Sequence, residues 1–337
     1  MRVTLHSPLV WAPLLAGSLA VVLLVSLGVG GVNLAPERVL RALLTPGDPA
    51  LRPADVTIVW DLRLARALLA ALSGAGLAAA GAAFQGLFRN TLADPFVIGA
   101  SGGAALGATL AIVTGTKGPW PAVPIPVAAF TGAILAVLVV YTVAGASGGD
   151  TATALLLAGA ALSTLLSALV SLLMLFHGQQ LIEIFAWLLG GFSGRSWPHL
   201  WTSGPPLLLG LGTVWLLARP LDALASGEET ARSLGLPLGR ARAAIVAAAS
   251  LATAAAVAAG GIIGFVGLIA PHIARLICGS DHARLIPASA LVGALLLLVA
   301  DSVARSLIAP IELPVGVVTA LIGGPFFLWL LSRGGRS

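Results

Sequence analysis

The chain has 337 residues, 58% of them hydrophobic and only 9% charged, with a mean hydropathy of +1.03. Soluble domains carry about a quarter of their residues charged, so this composition excludes a water-soluble protein and makes lipid the main solvent. The 18 basic and 13 acidic residues are sparse enough to mark out long apolar runs.

In chain order, charge-free runs cover 3–36, 67–88, 95–116, 118–149, 151–182, 196–218, 243–274, 285–300 and 313–332. A spanning helix needs about 20 apolar residues. The 243–274 run is too long for one helix and is interrupted by Gly260, Gly261, Gly264 and Pro271, so it is divided in two. Ten helices are predicted, near 9–31, 64–85, 94–113, 122–144, 151–176, 184–209, 241–259, 263–278, 284–303 and 315–332. The fold class is all-α: a polytopic membrane protein with one transmembrane domain over 1–337. Met1-Arg2 and the apolar run after it resemble a signal peptide. The run exceeds a typical h-region and no small-residue cleavage site stands out, so the first helix is read as retained.

On the second predicted helix Gly74 with Ala78, and Gly76 with Ala80, recur at four-residue spacing; Gly99, Gly103 and Gly107 do so on the third. Small-xxx-small rows let helix backbones approach closely in lipid, so tight packing is expected there. The polar break Asn90 to Pro95 can lie at membrane depth only if protein or water covers it.

An even helix count puts both termini on one side. With cytoplasmic termini, ten basic residues fall inside and eight outside, a weak positive-inside bias. Among the outer ones, Arg63 and Arg66 open the second helix and Arg305 follows the ninth. Cations held outside against the usual bias suggest a docking site for an acidic partner; interfacial snorkelling is the plain alternative.

The inner loop 219–242 reads as a short helix with both ends marked. Ser226 and Glu229 form a capping-box pattern, the helix runs through Arg232 and Leu234, and Gly235 with Pro237 ends it. So short a helix is unstable alone in water and needs its own membrane domain or another protein to rest on.

Some chemistries are missing. The single lysine, Lys117, lies in no G-x-x-x-x-G-K-[ST] sequence, so the chain has no P-loop. The single cysteine, Cys278, allows no internal disulfide. Two G-x-S-G tetrads, around Ser101 and Ser193, raise an intramembrane serine protease, but no histidine lies inside a Gly-rich later helix. An ion-coupled secondary transporter would need ionisable residues in mid-membrane. Asp94, Asp150, Glu183, Asp301 and Glu312 all fall near predicted helix ends, and Asp301 can pair with Arg305 at i,i+4. The energy source is therefore expected outside this chain.

Several stretches together resemble the FecCD-type permeases, membrane subunits of ABC importers for cobalamin, iron-siderophores and haem. They are Arg63-Leu64-Ala65-Arg66, Gly81 to Gln85, Arg89 to Pro95 with Gly99, Trp187 to Gly190, Gly227 to Leu236, Gly264 to His272, Asp301 to Arg305 and Glu312 to Gly316. The loop Gly227 to Leu236 looks most like the cobalamin members. The resemblance implies a homodimer of ten-helix subunits around a central path, in the bacterial inner membrane. It also implies two separate subunits that bind and hydrolyse ATP, a periplasmic binding protein, an iron chelate or corrinoid as substrate, no cofactor of its own and no nucleic acid. Arg63, Arg66 and Arg305 match outer arginines that receive acidic side chains of the binding protein. Ser226, Glu228, Glu229, Arg232, Leu234 and Gly235 match the helix that couples to the ATPase. Asn90 and Leu92 match the cytoplasmic gate; Gly178, Gln179 and Gln180 match the outer gate region. Thr91 stands where the family has proline, which restores a backbone donor in the gate turn.

Overall fold

Alanine and glycine are small enough for a helix to be enclosed on every side, and the centre of this protein is built that way. In a computed structural model, residues 7–115, 124–146 and 151–334 are described; Lys117, Asp150, Arg2 and Arg336 lie outside them. The long helices are α1 (Pro8–Gly28), α4 (Ala65–Leu87), α5 (Ala100–Gly115), α6 (Ile125–Ala146), α7 (Thr151–Phe176), α9 (Trp197–Leu216), α12 (Leu238–Gly260), α13 (Val266–Cys278), α14 (His282–Ser306) and α15 (Val315–Gly334). The short ones are α2 (Pro36–Leu44), α3 (Pro53–Thr57), α8 (Leu181–Leu188), α10 (Ala218–Ala225) and α11 (Glu228–Ser233). No strand occurs among the described residues.

Among the described residues, seven helices are long and apolar enough to cross a membrane, and an eighth if α9 and α10, bent by 52°, count as one span. The ten predicted spans correspond to these together with the shorter apolar helices α5 and α13. Every residue of α4 from Ser73 to Leu87 is buried, and α4 packs on α14, α12, α9 and α13. In contrast, α1 buries only Trp11, Ser26 and Leu27 fully; Leu15, Leu19, Val22 and Leu23 pack partly on the core while Leu9, Leu14, Val21, Leu24 and Val25 stay exposed, as on a lipid-facing helix.

The glycine rows make the contacts expected of them. At the α4–α14 crossing a Cβ on Gly74 would lie 2.2 Å from Gly293 O, and Gly103 of α5 has the same relation to Gly132 of α6. Gly99 departs from the pattern. It lies outside the helix at φ +86°, the left-handed end of a 3₁₀ turn, Pro95–Ile98, that precedes α5.

The predicted sixth helix, 184–209, is two helices. α8 stops at Leu188 and α9 starts at Trp197, because Gly190 and Gly194 take φ of +69° and +67°. There the 189–196 segment crosses the α12–α13 break: Gly191 N donates to Gly260 O at 2.7 Å, and a Cβ on Gly190 would lie 2.5 Å from Ile262 O. Between the first two predicted helices lie α2 and α3, within residues 36–57. Val39 and Ala42 are buried there while Leu40 and Leu44 stay exposed, the pattern of a helix lying at an interface.

Tryptophans bracket α9, whose 20 residues rise about 30 Å. Trp197 stacks on Trp201 and donates to Trp60 O at one end; Trp215 donates to Ala283 O at the other. Such girdles sit at the two membrane–water interfaces.

Candidate functional site

The end that carries Arg63 is termed outer and the end with the 219–242 loop inner, following the expected orientation. At the outer end the helix leading into α4 loosens into a π-helical segment, Ile58–Leu64, a geometry that often marks functional positions. It turns Arg63 into the protein, where Nη1 donates to Leu27 O at 2.7 Å and Nη2 to Val32 O. One turn on, Arg66 contacts Asp301 through Nη2 at 2.9 Å and Nε at 3.1 Å, and Glu312 through Nη1 at 2.9 Å. The expected Asp301–Arg305 pair forms, with Arg305 Nε 3.1 Å from Asp301 Oδ2, and Arg305 Nη2 donates to Ser26 O at 3.2 Å.

The three arginines therefore do converge, but they are enclosed. Their exposures are 7%, 7% and 5%, and Asp301 has none. Asp301 and Glu312 already neutralise much of the charge of Arg66 and Arg305, leaving three guanidinium groups against two acids, with only Glu312 partly exposed.

Beside this cluster, α8 and the 189–196 segment wall a pocket of about 330 Å3 lined by Arg66, Glu183, Trp187, Ser193, Arg195 and Glu312, among others. Trp187 is buried and its Nε1 has no partner among the described residues; Arg195 Nε is likewise buried without one. Arg195 forms no ion pair among the described residues, and burial pushes its pKa down. Nothing local in the sequence singles it out, because the burial that shifts it is set by segments remote in the chain, Arg66 and Glu312 among its pocket neighbours. The residues matched to the outer gate, Gly178, Gln179 and Gln180, form a 3₁₀ turn joining α7 to α8, with Gly178 and Gln179 exposed. Next to it, a cavity of about 590 Å3 between α5, α7 and α8 is lined by Ser101, Ser163, Ser167 and Ser171. No histidine lines it, so Ser101 has no base there for protease chemistry.

At the inner end α4 stops with Arg89 in the left-handed region, φ +50°. The turn after it is closed by Asn90 N to Gln85 O at 3.1 Å, Leu92 N to Asn90 Oδ1 at 2.9 Å and Ala93 N to Asn90 O at 3.1 Å. Asn90 is exposed and Leu92 half-buried. The side chain of Asn90 thus organises the turn with Thr91 in place of a proline.

The inner loop holds its short helix as expected at one end and differently at the other. Gly235, at φ +77°, ends α11 with Gly235 N donating to Arg232 O at 2.9 Å and Leu236 N to Ala231 O at 3.0 Å, a Schellman cap. The capping box does not form. Ser226 closes α10 instead, its Oγ donating to Asp222 O at 2.9 Å, and Gly227 is the N-cap of α11 at φ +113°. A serine one residue before a glycine caps the preceding helix because the glycine takes the turn. Ala231 anchors α11 inward; Glu229, Arg232 and Leu234 face out, Leu234 with 70% exposure. Glu228 turns back to pair with Arg242 and lies 4.0 Å from Arg232.

Residues 18–333 match the FecCD transport family. The chain is 44% identical over 274 residues to a cobalamin import system permease protein, BtuC, of Halobacterium salinarum, covering 81% of this chain and 73% of that one. It is 42% identical over 299 residues to the vitamin B12 import system permease protein BtuC of Escherichia coli, covering 87% and 89%. A permease protein of an ABC transporter in Bacillus subtilis, YvrB, shares 39% over 330 residues, 95% and 93% of the two chains. Among solved structures, a metal-chelate type ABC transporter in an inward-facing conformation superposes with a TM-score of 0.83 at 34% identity, covering 97% of this chain and all of that one.

Proposed function

The chain belongs to the FecCD transport family as a permease of the ABC importer type, and from that premise we propose that two copies form a path for a cobalamin-like corrinoid. Entry is from a periplasmic binding protein, and the energy comes from ATP hydrolysed by two separate subunits. The names of the relatives favour a corrinoid; the metal-chelate transporter that shares the fold makes an iron-siderophore or haem the second reading. The subunit spans the bacterial inner membrane as one domain with both termini in the cytoplasm.

The observation that carries this reading is the inner loop. A six-residue helix cannot hold itself in water, yet α11 is capped, anchored through Ala231 and presents Leu234 outward, as a knob meant for another protein's groove would be. On this reading Ser226, Glu228, Glu229, Arg232, Leu234 and Gly235 form the coupling segment, Asn90 and Leu92 the inner gate, and Gly178, Gln179 and Gln180 the outer gate region. Ion coupling is disfavoured because Asp301, the carboxylate sealed inside α14, is already held by Arg66 and Arg305. Reconstitution in liposomes tests the whole: uptake should require the binding protein and the ATPase subunits together. Uptake by this chain alone, driven by an ion gradient, would overturn it.

Two narrower expectations follow from the ends of the molecule. The Arg63–Arg66–Arg305 cluster supplies a net positive field for docking, and Arg195 beside it adds a further cation with no ion pair among the described residues. Arg195→Glu should therefore weaken capture of the loaded binding protein at least tenfold by surface plasmon resonance, and should do so less at high salt. Unchanged capture removes Arg195 from the docking face. At the inner end, no atom lies within 4 Å of a Cβ on Gly235, so the positive φ alone opposes substitution. Gly235→Val should lower substrate moved per ATP, whereas Gly235→Asn, which tolerates that conformation, should stay near wild type. Equal behaviour of the two variants would discard the cap's role in coupling.

A further inference from the structure

At the inner end a carboxylate–imidazole clasp joins three elements that converge there. Asp222 of α10 accepts from the backbone N–H of His282 at 3.0 Å, and its Oδ1 stands 2.6 Å from His282 Nδ1. The ring is 4% exposed. The nitrogen facing a carboxylate carries the proton, so Nδ1 donates and Nε2 lies on the far side of the ring. That atom is buried with no partner among the described residues, and it presses on α4: a Cβ on Gly86 would lie 2.5 Å from it. Gly86 O in turn accepts from Arg89 N at 3.3 Å, where the turn of Asn90 and Leu92 begins.

The other end of the clasp leads to the loop. Asp222 O takes the hydroxyl of Ser226, the residue that joins α10 to the α11 turn. Neighbouring Leu221 and Leu224 fix α10 in the core. His282 is the first residue of α14, and the cap of that helix is supplied by Asp281, which accepts from Ala283 N at 3.0 Å. His282 is thus left to a contact between elements.

We propose that the Asp222–His282 clasp positions the end of α4 against the inner loop, so that displacement of α10 and α11 reaches the Asn90–Leu92 turn. The proposal rests on the coupling role given to that loop above. A short charge-assisted bond on one side and a ring against a bare glycine on the other leave little slack. The unpartnered Nε2 is the kind of buried cost that a second arrangement can relieve, which suits a part that moves.

The test is substrate moved per ATP hydrolysed, measured in proteoliposomes that hold the permease, its ATPase subunits and its binding protein. His282→Ala and Asp222→Ala should each lower that ratio at least tenfold while ATP hydrolysis stays within twofold. The double variant should be no worse than either single one. His282→Asn, whose amide nitrogen can donate in place of Nδ1, should recover at least half of the ratio. Gly86→Ala, which displaces the ring while keeping both partners, should reproduce the loss. Should His282→Ala fail to accumulate, the Asn and Gly86 variants decide. Normal ratios in His282→Ala and Gly86→Ala, or additive losses in the double variant, would overturn the clasp alone. Absence of ATP-dependent uptake by the wild type would instead bring down the proposed function and the clasp with it.

Discussion

Asp301→Ala is expected to leave the protein about 3–5 kcal/mol less stable, the usual cost of removing one partner from a buried ion pair. The reason lies in what remains. Asp301 is fully enclosed and is the shared acceptor of Arg66 and Arg305, themselves 7% and 5% exposed. Without it two guanidinium groups stay desolvated, and Glu312 can answer only Arg66 at close range. The cost of the stranded charges exceeds that of the lost contact, so Asp301→Asn, which keeps the shape, should destabilise nearly as much. Replacing Asp301, Arg66 and Arg305 together with apolar residues of similar volume should recover most of the loss, because the enclosed charges leave together and Glu312, partly exposed, keeps its water. Thermal unfolding in detergent, followed by tryptophan fluorescence, reads all three. A loss below about 1 kcal/mol for Asp301→Ala would mean that the cluster is open to water and the burial argument fails.

Gly81→Leu should prevent a folded protein from accumulating, and Gly81→Ala should already cost at or above the upper end of the 1–3 kcal/mol typical of overpacking. A Cβ at Gly81 would meet Gly267 O at 1.9 Å and Gly267 Cα at 2.8 Å. These are backbone atoms, so no rotamer change makes room, and α13 would have to move away from α4 as a body. It cannot do so freely, since Gly267 is itself pressed against Pro95 of the next turn, 2.5 Å from a Cβ built there. Gly212→Ala is the matched control: it also lies in a long helix, with nothing within 4 Å of the added carbon, and should behave as wild type. Yield after membrane extraction and the melting midpoint are the measurements. A normal melt for Gly81→Ala would show that α4 and α13 do not cross at this distance.

Much of the architecture was legible because hydropathy is a local property. A run of some twenty apolar residues cannot stay in water, so Ile125–Ala146 and Thr151–Phe176 declare themselves residue by residue. The glycine rows on α4 and α5 were legible for a related reason, since a four-residue spacing puts small residues on one helix face. The split of 184–209 was not legible: at Gly190 the helix breaks where backbone of the α12–α13 break presses on the segment, and that part of the chain lies some seventy residues away. Likewise the Ser226 pattern fitted a capping box, but the chain chose to end α10 there.

The sequence by itself determined a lipid-embedded helical protein, the position of its inner loop, the left-handed stop at Gly235 and the pairing of Asp301 with Arg305, all of which depend on neighbours within about one helical turn. Only the tertiary structure decided whether charges were open or closed. Arg66 meets Asp301 across 235 positions and His282 meets Asp222 across 60, while Arg195 is left without a counter-charge. Electrostatic energy depends on distance in space and on the water between groups, and neither is written in the order of residues along the chain.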